Sequence, residues 1–210
     1  MKKSNIDYTL YLVTDREILG NRNLEDAVEE AILGGVTLVQ LREKNCSSLE
    51  FYNTAKNIKE ITRKYNIPLI INDRLDIAQA IDADGVHIGQ EDMPVDLARK
   101  ILGQHKVIGV SAQTLEQALI AEEEGADYLG VGAIFNTTTK RDAIQDMGLK
   151  ILKDIKVKVN IPIVGIGGID HSNAKSVIQT GADGVAVVSC ILKETDIRNS
   201  SKRLYDIVKK

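Results

Sequence analysis

Polar side chains follow several short apolar, β-branched stretches of the chain directly. One stretch ends in an amide, a guanidinium and an ammonium group, carried by Gln40, Arg42 and Lys44. Side chains alternate across a β-strand, so these three share one face while Val39 and Leu41 share the other. Two cations and an amide on one face suit an anion with several oxygens, such as a diphosphate. A solvated strand end with surface charges is the alternative.

Two aspartates, Asp73 and Asp92, follow the third and fourth stretches. Adjacent strands lie about 4.8 Å apart, so carboxylates at neighbouring strand ends can share one hard cation. Magnesium typically takes one or two carboxylates, keeps waters and completes its shell with substrate phosphate oxygens. An acid–base carboxylate pair is one alternative. Helix capping is another, because Asp92 precedes Met93 and Pro94.

Two further clusters are typical of phosphate binding. After the sixth stretch come three threonines and a lysine: Thr137, Thr138, Thr139 and Lys140. The last two stretches end in small residues: Gly167, Gly168, Val188 and Ser189. Glycine lets phosphate oxygens approach backbone amides, and loops after the seventh and eighth strands of barrels often hold phosphate. Threonine-rich loops are common, however, and turn geometry alone would also explain the glycines.

Two ring side chains leave both a functional and a structural interpretation open. His87, beside the end of the fourth stretch, either faces the site or is a core histidine. Tyr11, on the first stretch, either stacks on a flat ring or packs in the core. His105 and His171 are predicted to be loop residues without a role.

Apolar stretches alternate with segments of helical spacing along the whole chain. The predicted strands cover residues 9–13, 37–41, 68–71, 85–88, 107–110, 128–134, 162–166 and 184–188. The predicted helices cover residues 24–33, 49–65, 75–81, 95–102, 115–124, 148–157, 173–179 and 196–208. Such alternation implies parallel strands, and eight pairs favour a single α/β domain, a closed (β/α)8 TIM barrel over residues 1–210, rather than an open doubly wound sheet.

A weak internal repeat supports this alternation. Asp84, Asp127 and Asp183 each follow an alanine where a helix gives way to a strand. These positions lie at the opposite rim from the polar clusters. We therefore predict that the three aspartates are structural.

Composition excludes several functional classes. With 210 residues, 43% hydrophobic, 27% charged and a net charge of −3, the chain is typical of a soluble globular protein and has no basic excess for nucleic acid. Its apolar stretches are far shorter than the roughly 20 residues of a membrane span, and no signal peptide is evident. Cys46 and Cys190 show no metal or disulfide spacing and no neighbouring base, so a cytoplasmic location is expected. A homo-oligomer is compatible with the sequence.

The combined motifs resemble the thiamine-phosphate synthase family over nearly the whole chain. The resemblance runs through Tyr-Leu-Val-Thr at residues 11–14, Gln-Leu-Arg-Glu-Lys at 40–44, Asn-Asp at 72–73, His-Ile-Gly-Gln-Glu-Asp at 87–92, Gly-Val-Ser at 109–111, Thr-Thr-Thr-Lys at 137–140, Gly-Gly-Ile at 167–169 and Val-Ser at 188–189. It implies a Mg²⁺-dependent transferase that joins 4-amino-2-methyl-5-(diphosphooxymethyl)pyrimidine to 4-methyl-5-(2-phosphoethyl)thiazole, releasing diphosphate.

The resemblance also implies roles for individual residues. Those expected to bind the pyrimidine diphosphate are Gln40, Leu41, Arg42, Glu43, Lys44, Asn72, Ser111 and Lys140, with Arg42, Lys44, Ser111 and Lys140 catalytic. Those expected to bind the thiazole phosphate are Thr137, Thr138, Thr139, Gly168, Val188 and Ser189. Asp73 and Asp92 would ligate magnesium. One departure is Asn136, where the family often has proline.

Three other functions remain as alternatives. A related thiazole tautomerase would handle a thiazole phosphate but needs no diphosphate site. A noncatalytic barrel that senses a metabolite needs one phosphate site and no metal pair. A phosphosugar isomerase or aldolase would need a catalytic lysine or glutamate inside a strand, and none is evident.

Overall fold

Eight parallel strands close into a barrel in the computed structural model, which describes residues 6–137 and 148–209. Each strand pairs with its sequence neighbour, and the first strand also pairs with the eighth. This closure confirms the predicted (β/α)8 barrel and excludes the open sheet. Within the described residues, no helix has the length and apolar character needed to cross a membrane.

Short strands form the barrel wall and helices surround it. The strands are β1 (Leu10–Val13), β2 (Leu38–Leu41), β3 (Leu69–Asn72), β4 (Gly85–Ile88), β5 (Val107–Ala112), β6 (Tyr128–Val131), β7 (Ile163–Ile166) and β8 (Gly184–Val187). The helices of the described chain are α1 (Arg16–Leu19), α2 (Leu24–Leu33), α3 (Ser48–Lys64), α4 (Leu75–Ala80), α5 (Val95–Leu102), α6 (Leu115–Glu123), α7 (Gly148–Lys156), α8 (Ala174–Gln179), α9 (Ser189–Leu192) and α10 (Ile197–Val208).

Alternation along each strand divides the apolar residues between two cores. On β2, Val39 and Leu41 pack outward in the large core between strands and helices. Leu38 faces inward and joins a smaller cluster in the barrel interior, which includes Tyr11 and Tyr128. The strand pairing thus points Gln40, two residues after Leu38, into the barrel as predicted.

The repeated aspartates join neighbouring strands at the rim opposite the polar clusters. Asp84 Oδ2 accepts a hydrogen bond from the backbone amide of Leu69 at 2.9 Å. Asp127 and Asp183 accept in the same way from the amides of Ile108, at 2.8 Å, and Ile163, at 2.9 Å. The predicted structural role of these aspartates is confirmed.

Apart from shifts of one or two residues at the ends of elements, two details differ from the sequence prediction. The apolar pattern predicted a sixth strand that extends to residue 134. The strand instead ends at Val131, which forms its last register pair with β7. Beyond it the backbone stays beside β7 irregularly, with the amide of Ile134 donating to Ile166 O at 2.9 Å. The four-residue helices α1 and α9 were not predicted, because one turn is too short to show helical periodicity.

Candidate active site

A cavity of about 370 Å³ lies at the carboxyl ends of the strands. This volume is within the range of small-molecule sites. Among the described residues, its charged lining consists of Arg42 and Lys44 with Asp73, Glu91 and Asp92. Its further polar lining includes Gln40, Asn72, His87, Gln90, Ser111, Gln113, Gln117, Thr137 and Ser189. Most of the predicted polar clusters therefore meet in one place.

The segment after β2 supplies both cations of the described cavity lining, and residues just after β1 hold Arg42 in place. Arg42 Nη1 lies 2.8 Å from Asp15 Oδ2, and the amide of Arg42 donates to Thr14 Oγ1 at 3.0 Å. Asp15 is also the N-cap of α1, where it accepts from the amide of Ile18 at 3.1 Å. The Arg42 guanidinium is therefore fixed against the wall, mostly buried, at the edge of the cavity. Lys44 is more exposed.

Two other residues of the same segment point elsewhere. The Leu41 side chain is fully buried in the outer core. Glu43 Oε1 accepts a hydrogen bond from Arg16 Nε at 2.6 Å and does not line the cavity. Any contact of these two residues with a ligand in the cavity would therefore involve their backbone or a movement of the side chain.

Asp73 and Asp92 lie within hydrogen-bonding reach of each other. Asp73 has left-handed backbone geometry, with φ 60°, which aspartate tolerates better than most residues. Burial raises the pKa of Asp73, and the charge of Asp92 and the hydrogen bond to it raise it further. Lys44 Nζ, 3.6 Å from Asp73 Oδ2, opposes that rise. Asp92 Oδ2 accepts from the amide of Gly89 at 2.6 Å, so its carboxylate is held toward β4.

This pair is a small oxygen-donor site. In the described ranges, 6–137 and 148–209, no group of three or more His, Cys, Asp or Glu side chains is placed to hold a metal ion. Two adjacent carboxylates that repel each other are the arrangement a magnesium ion uses when waters and substrate oxygens complete its shell. The alternative role of Asp92 as a helix cap is not seen: α5 has Pro94 at its N-cap and no side-chain cap hydrogen bond.

A chain of hydrogen bonds crosses the barrel floor beneath the cavity. It links side chains from five different strands in the order Gln40, Tyr11, Tyr128, His87 and Ser111. His87 is buried yet lines the cavity, and so does Tyr11. The sequence left open whether His87 and Tyr11 belong to the site or to the core, and each of them belongs to both.

The opposite wall of the cavity comes from β7, β8 and the segment after β6. Gly168, Val188, Ser189 and Thr137 line it together. Gly167 and Gly168 have positive φ, 95° and 66°, and a Cβ on Gly168 would lie 2.6 Å from Asn136 O. Glycine is therefore required by the backbone itself at this turn. Thr138, Thr139 and Lys140 lie outside the described residues.

Sequence reasoning missed Asp15 and Tyr128. Asp15 is a polar residue just after β1, and the predicted site residues are polar residues just after other strands. The position after a strand end could therefore have identified Asp15 as well. Tyr128 shares its strand face with Gly130 and Gly132, and a large ring next to two interior glycines indicates that space has been left for neighbours. Cys46 and Cys190 are free thiols, as expected.

A family model described as "Thiamine monophosphate synthase" matches residues 10–191. The chain belongs to the thiamine monophosphate synthase family. It is 60% identical to the thiamine-phosphate synthase of Clostridium acetobutylicum over 206 residues, 98% of this chain and 97% of the relative. It is 58% identical to that of Clostridium tetani over 204 residues, 97% of both chains. This family membership makes the chain an enzyme, a transferase of thiamine biosynthesis.

Solved structures agree with the family assignment. A thiamine phosphate pyrophosphorylase from Pyrococcus furiosus superposes with a TM-score of 0.89 at 41% identity, covering 97% of this chain and 96% of that one. A geranylgeranylglyceryl phosphate synthase from Thermoplasma acidophilum gives a TM-score of 0.69 at 15% identity, covering 99% and 95%. The second likeness shows the barrel fold alone. The thiamine monophosphate synthase family thus accounts for both the sequence motifs and the architecture.

Proposed function

We propose that the chain condenses 4-amino-2-methyl-5-(diphosphooxymethyl)pyrimidine with 4-methyl-5-(2-phosphoethyl)thiazole, with Mg²⁺, to give thiamine phosphate and diphosphate. The observation that carries this proposal is the convergence of two cations and two interacting carboxylates on one cavity. A thiazole tautomerase or a metabolite sensor would have no use for that pair. The small cavity, with its floor of ring and amide groups, suits flat heterocycles.

The donor set fits Mg²⁺. Asp73 and Asp92 offer oxygen ligands at one point, and their repulsion is what a cation between them would relieve. The described cavity lining has three acidic side chains and only two basic ones, Arg42 and Lys44. A diphosphate would therefore be repelled unless a further cation were bound. When bound there, Mg²⁺ would supply charge neutralisation to the leaving diphosphate.

The pyrimidine half of the site is assigned to β2, β3 and β5. Arg42, Lys44 and Lys140 would balance the charge of the diphosphate, and Ser111 would donate a hydrogen bond to it. Gln40 and Asn72, at the ends of neighbouring strands, would hold the pyrimidine in place. The thiazole phosphate is assigned to the opposite wall, at Thr137, Thr138, Thr139, Gly168, Val188 and Ser189.

The chemistry is a substitution at the pyrimidine methylene carbon. The carbon–oxygen bond breaks first, its electron pair leaves with diphosphate, and a carbocation stabilised by the aminopyrimidine ring remains. The lone pair of the thiazole nitrogen then forms the new carbon–nitrogen bond. No protein base is required, because no proton has to be removed. Fixed charges aimed at the leaving group provide most of the acceleration.

Diphosphate release tests this function. The purified protein is assayed with each substrate alone and with both, in Mg²⁺ and in a chelator. We expect release that requires both substrates and the metal, accompanied by thiamine phosphate. Asp92→Asn should abolish it, whereas Asp96→Asn, an exposed carboxylate on α5, should not. Isomerisation of a thiazole alone, or binding without turnover, would refute the proposal.

A further inference from the structure

Five side chains under the cavity form a continuous polar chain inside an otherwise apolar barrel core. Gln40 Nε2 lies 2.7 Å from the Tyr11 hydroxyl, which lies 2.8 Å from the Tyr128 hydroxyl. The Tyr128 hydroxyl is 2.9 Å from His87 Nδ1, and His87 Nε2 is 2.9 Å from Ser111 Oγ. The two ends, Gln40 and Ser111, both line the cavity, whereas Tyr128 is fully buried below it.

Two glycines leave space for this hydrogen-bonded chain, because a larger residue at either position would crowd its rings. A Cβ on Gly109 would lie 2.1 Å from Tyr128 Cζ, and one on Gly130 would lie 3.0 Å from His87 Cε1. The Tyr11 and Tyr128 rings meet edge-on at 6.0 Å, and the His87 ring lies 5.5 Å from that of Tyr128. Two interior glycines thus accommodate the tyrosine and the histidine.

The phenols can only pass on hydrogen bonds as neutral groups. Burial raises the pKa of Tyr11 and of Tyr128, so each keeps its single proton. A phenol that accepts from one neighbour then gives its proton to the next. Whether the group at one end donates or accepts therefore sets the direction of donation in every hydrogen bond of the chain.

With the Gln40 amide oriented as in the structure, every link has one direction. Gln40 N–H donates to Tyr11. If each phenol gives its proton to the next member of the chain, Tyr11 donates to Tyr128 and Tyr128 donates to His87 Nδ1. The imidazole is then neutral and carries its proton on Nε2, which donates to Ser111 Oγ. The Ser111 proton is left to point toward an acceptor in the cavity. If the Gln40 amide turned over, all of these links would reverse and the Ser111 proton would be used on His87.

We infer that Tyr11, Tyr128 and His87 couple recognition of the aminopyrimidine edge by Gln40 to the hydrogen-bond donor state of Ser111 at the diphosphate. This inference rests on the proposed function and adds positioning residues to it. Gln40 would offer its carbonyl oxygen and its remaining N–H to the amino group and the adjacent ring nitrogen of the pyrimidine. That pairing would hold the Gln40 amide with one N–H directed toward Tyr11. The Ser111 hydroxyl proton would then be available to donate to the leaving diphosphate.

Removing one hydroxyl from the buried centre of the chain tests the coupling. Tyr128→Phe keeps the ring but interrupts the relay, so we expect kcat/KM to fall about 10- to 100-fold, the loss typical of one buried hydrogen bond. Tyr8→Phe is the matched control, because Tyr8 packs on Tyr128 with 5.0 Å between ring centroids while its hydroxyl is not part of the chain. Its rate should stay within about twofold of wild type.

A double-mutant cycle separates relay from packing. If Tyr128 acts through Ser111, adding Tyr128→Phe to Ser111→Ala should cost less than about twofold, because the relay no longer has an end to act on. An equal loss with and without the Ser111 hydroxyl would overturn the inference. So would a Tyr128→Phe enzyme as active as Tyr8→Phe. Tyr11→Phe should repeat the pattern and replaces Tyr128→Phe in the cycle if that variant does not fold.

The tautomer of His87 provides a readout that needs no turnover. The wild-type protein is labelled with ¹⁵N-histidine and examined by NMR with Mg²⁺, diphosphate and 4-amino-5-hydroxymethyl-2-methylpyrimidine, with His87→Asn identifying the signal. We expect a neutral ring protonated at Nε2 and an altered signal in Tyr11→Phe. A ring protonated at Nδ1 refutes the relay even if the wild type makes thiamine phosphate. A wild type without synthase activity would refute the proposed function separately.

Discussion

Replacing Asp92 by asparagine should make the metal-free protein more stable while destroying its function. Asp73 and Asp92 line the same cavity, and burial and the Asp92 charge both raise the pKa of Asp73. Two like charges about 4 Å apart at an effective dielectric of 20 repel by about 4 kcal/mol. Asp73 is 29% exposed and Lys44 lies 3.6 Å away, so solvent and the opposite charge screen most of this. After this screening we expect a gain of about 1 kcal/mol.

The pH dependence of this gain follows from the sign of the shift. Burial and the Asp92 charge raise the pKa of Asp73 above its usual value of 3.8, so wild-type stability falls as pH rises through the raised pKa. Asp92→Asn removes the Coulombic part of the shift and should lose less stability over the same range. The advantage of the variant is therefore small at acid pH and largest at neutral pH.

Thermal unfolding in a chelator and in Mg²⁺ measures both effects. For about 1 kcal/mol we expect the melting temperature of metal-free Asp92→Asn to rise by roughly 2–4 °C at neutral pH. Saturating Mg²⁺ should raise the melting temperature of the wild type but not of the variant. Glu60→Gln, an exposed charge on α3, is the control for net charge. A metal-free variant that melts at or below the wild-type temperature at neutral pH would contradict the reasoning.

The remaining predictions concern other parts of the barrel. Lys140→Ala should lower turnover on the order of a hundredfold or more without changing the circular dichroism spectrum, and a near-normal rate would refute its role. Gly109→Ala should destabilise the protein by about 1–3 kcal/mol in urea unfolding, because its Cβ would overlap Tyr128. Asp127→Ala should cost about 1–3 kcal/mol, because it leaves the amide of Ile108 unpaired and removes the ion pair with Arg99, with KM unchanged. Equal urea midpoints for Asp127→Ala and the wild type would argue against a structural role of Asp127.

Local patterns were sufficient to predict that the chain forms eight strands and which way the side chains at the end of β2 point. Alternation placed Gln40 and Arg42 toward the cavity and Val39 and Leu41 toward the helices, because period two is a property of any strand. The repeated aspartates were equally predictable, because each recurs at a helix-to-strand junction. Convergence of Asp73 with Asp92 followed from parallel strands ending at one edge.

Contacts across the closed barrel could not be predicted in this way. Tyr11 and Tyr128 lie 117 residues apart, and their hydroxyls meet only because β1 and β6 face each other across the interior. The Arg42–Asp15 pair depends on the one-turn helix α1, which leaves no periodic signal. The outward direction of Glu43 depends on where Arg16 lies. Magnesium, the cytoplasmic location and a homo-oligomer stay predictions.

The central claim is that the acidic pair and the neighbouring cations bind a diphosphate together with Mg²⁺. Calorimetric titration of diphosphate into the protein, in Mg²⁺ and in a chelator, tests it most directly. We predict tight binding that requires Mg²⁺ and is lost when Asp73 and Asp92 are both replaced by asparagine. Equal affinity in the chelator, or an unchanged affinity in the double variant, would contradict the account.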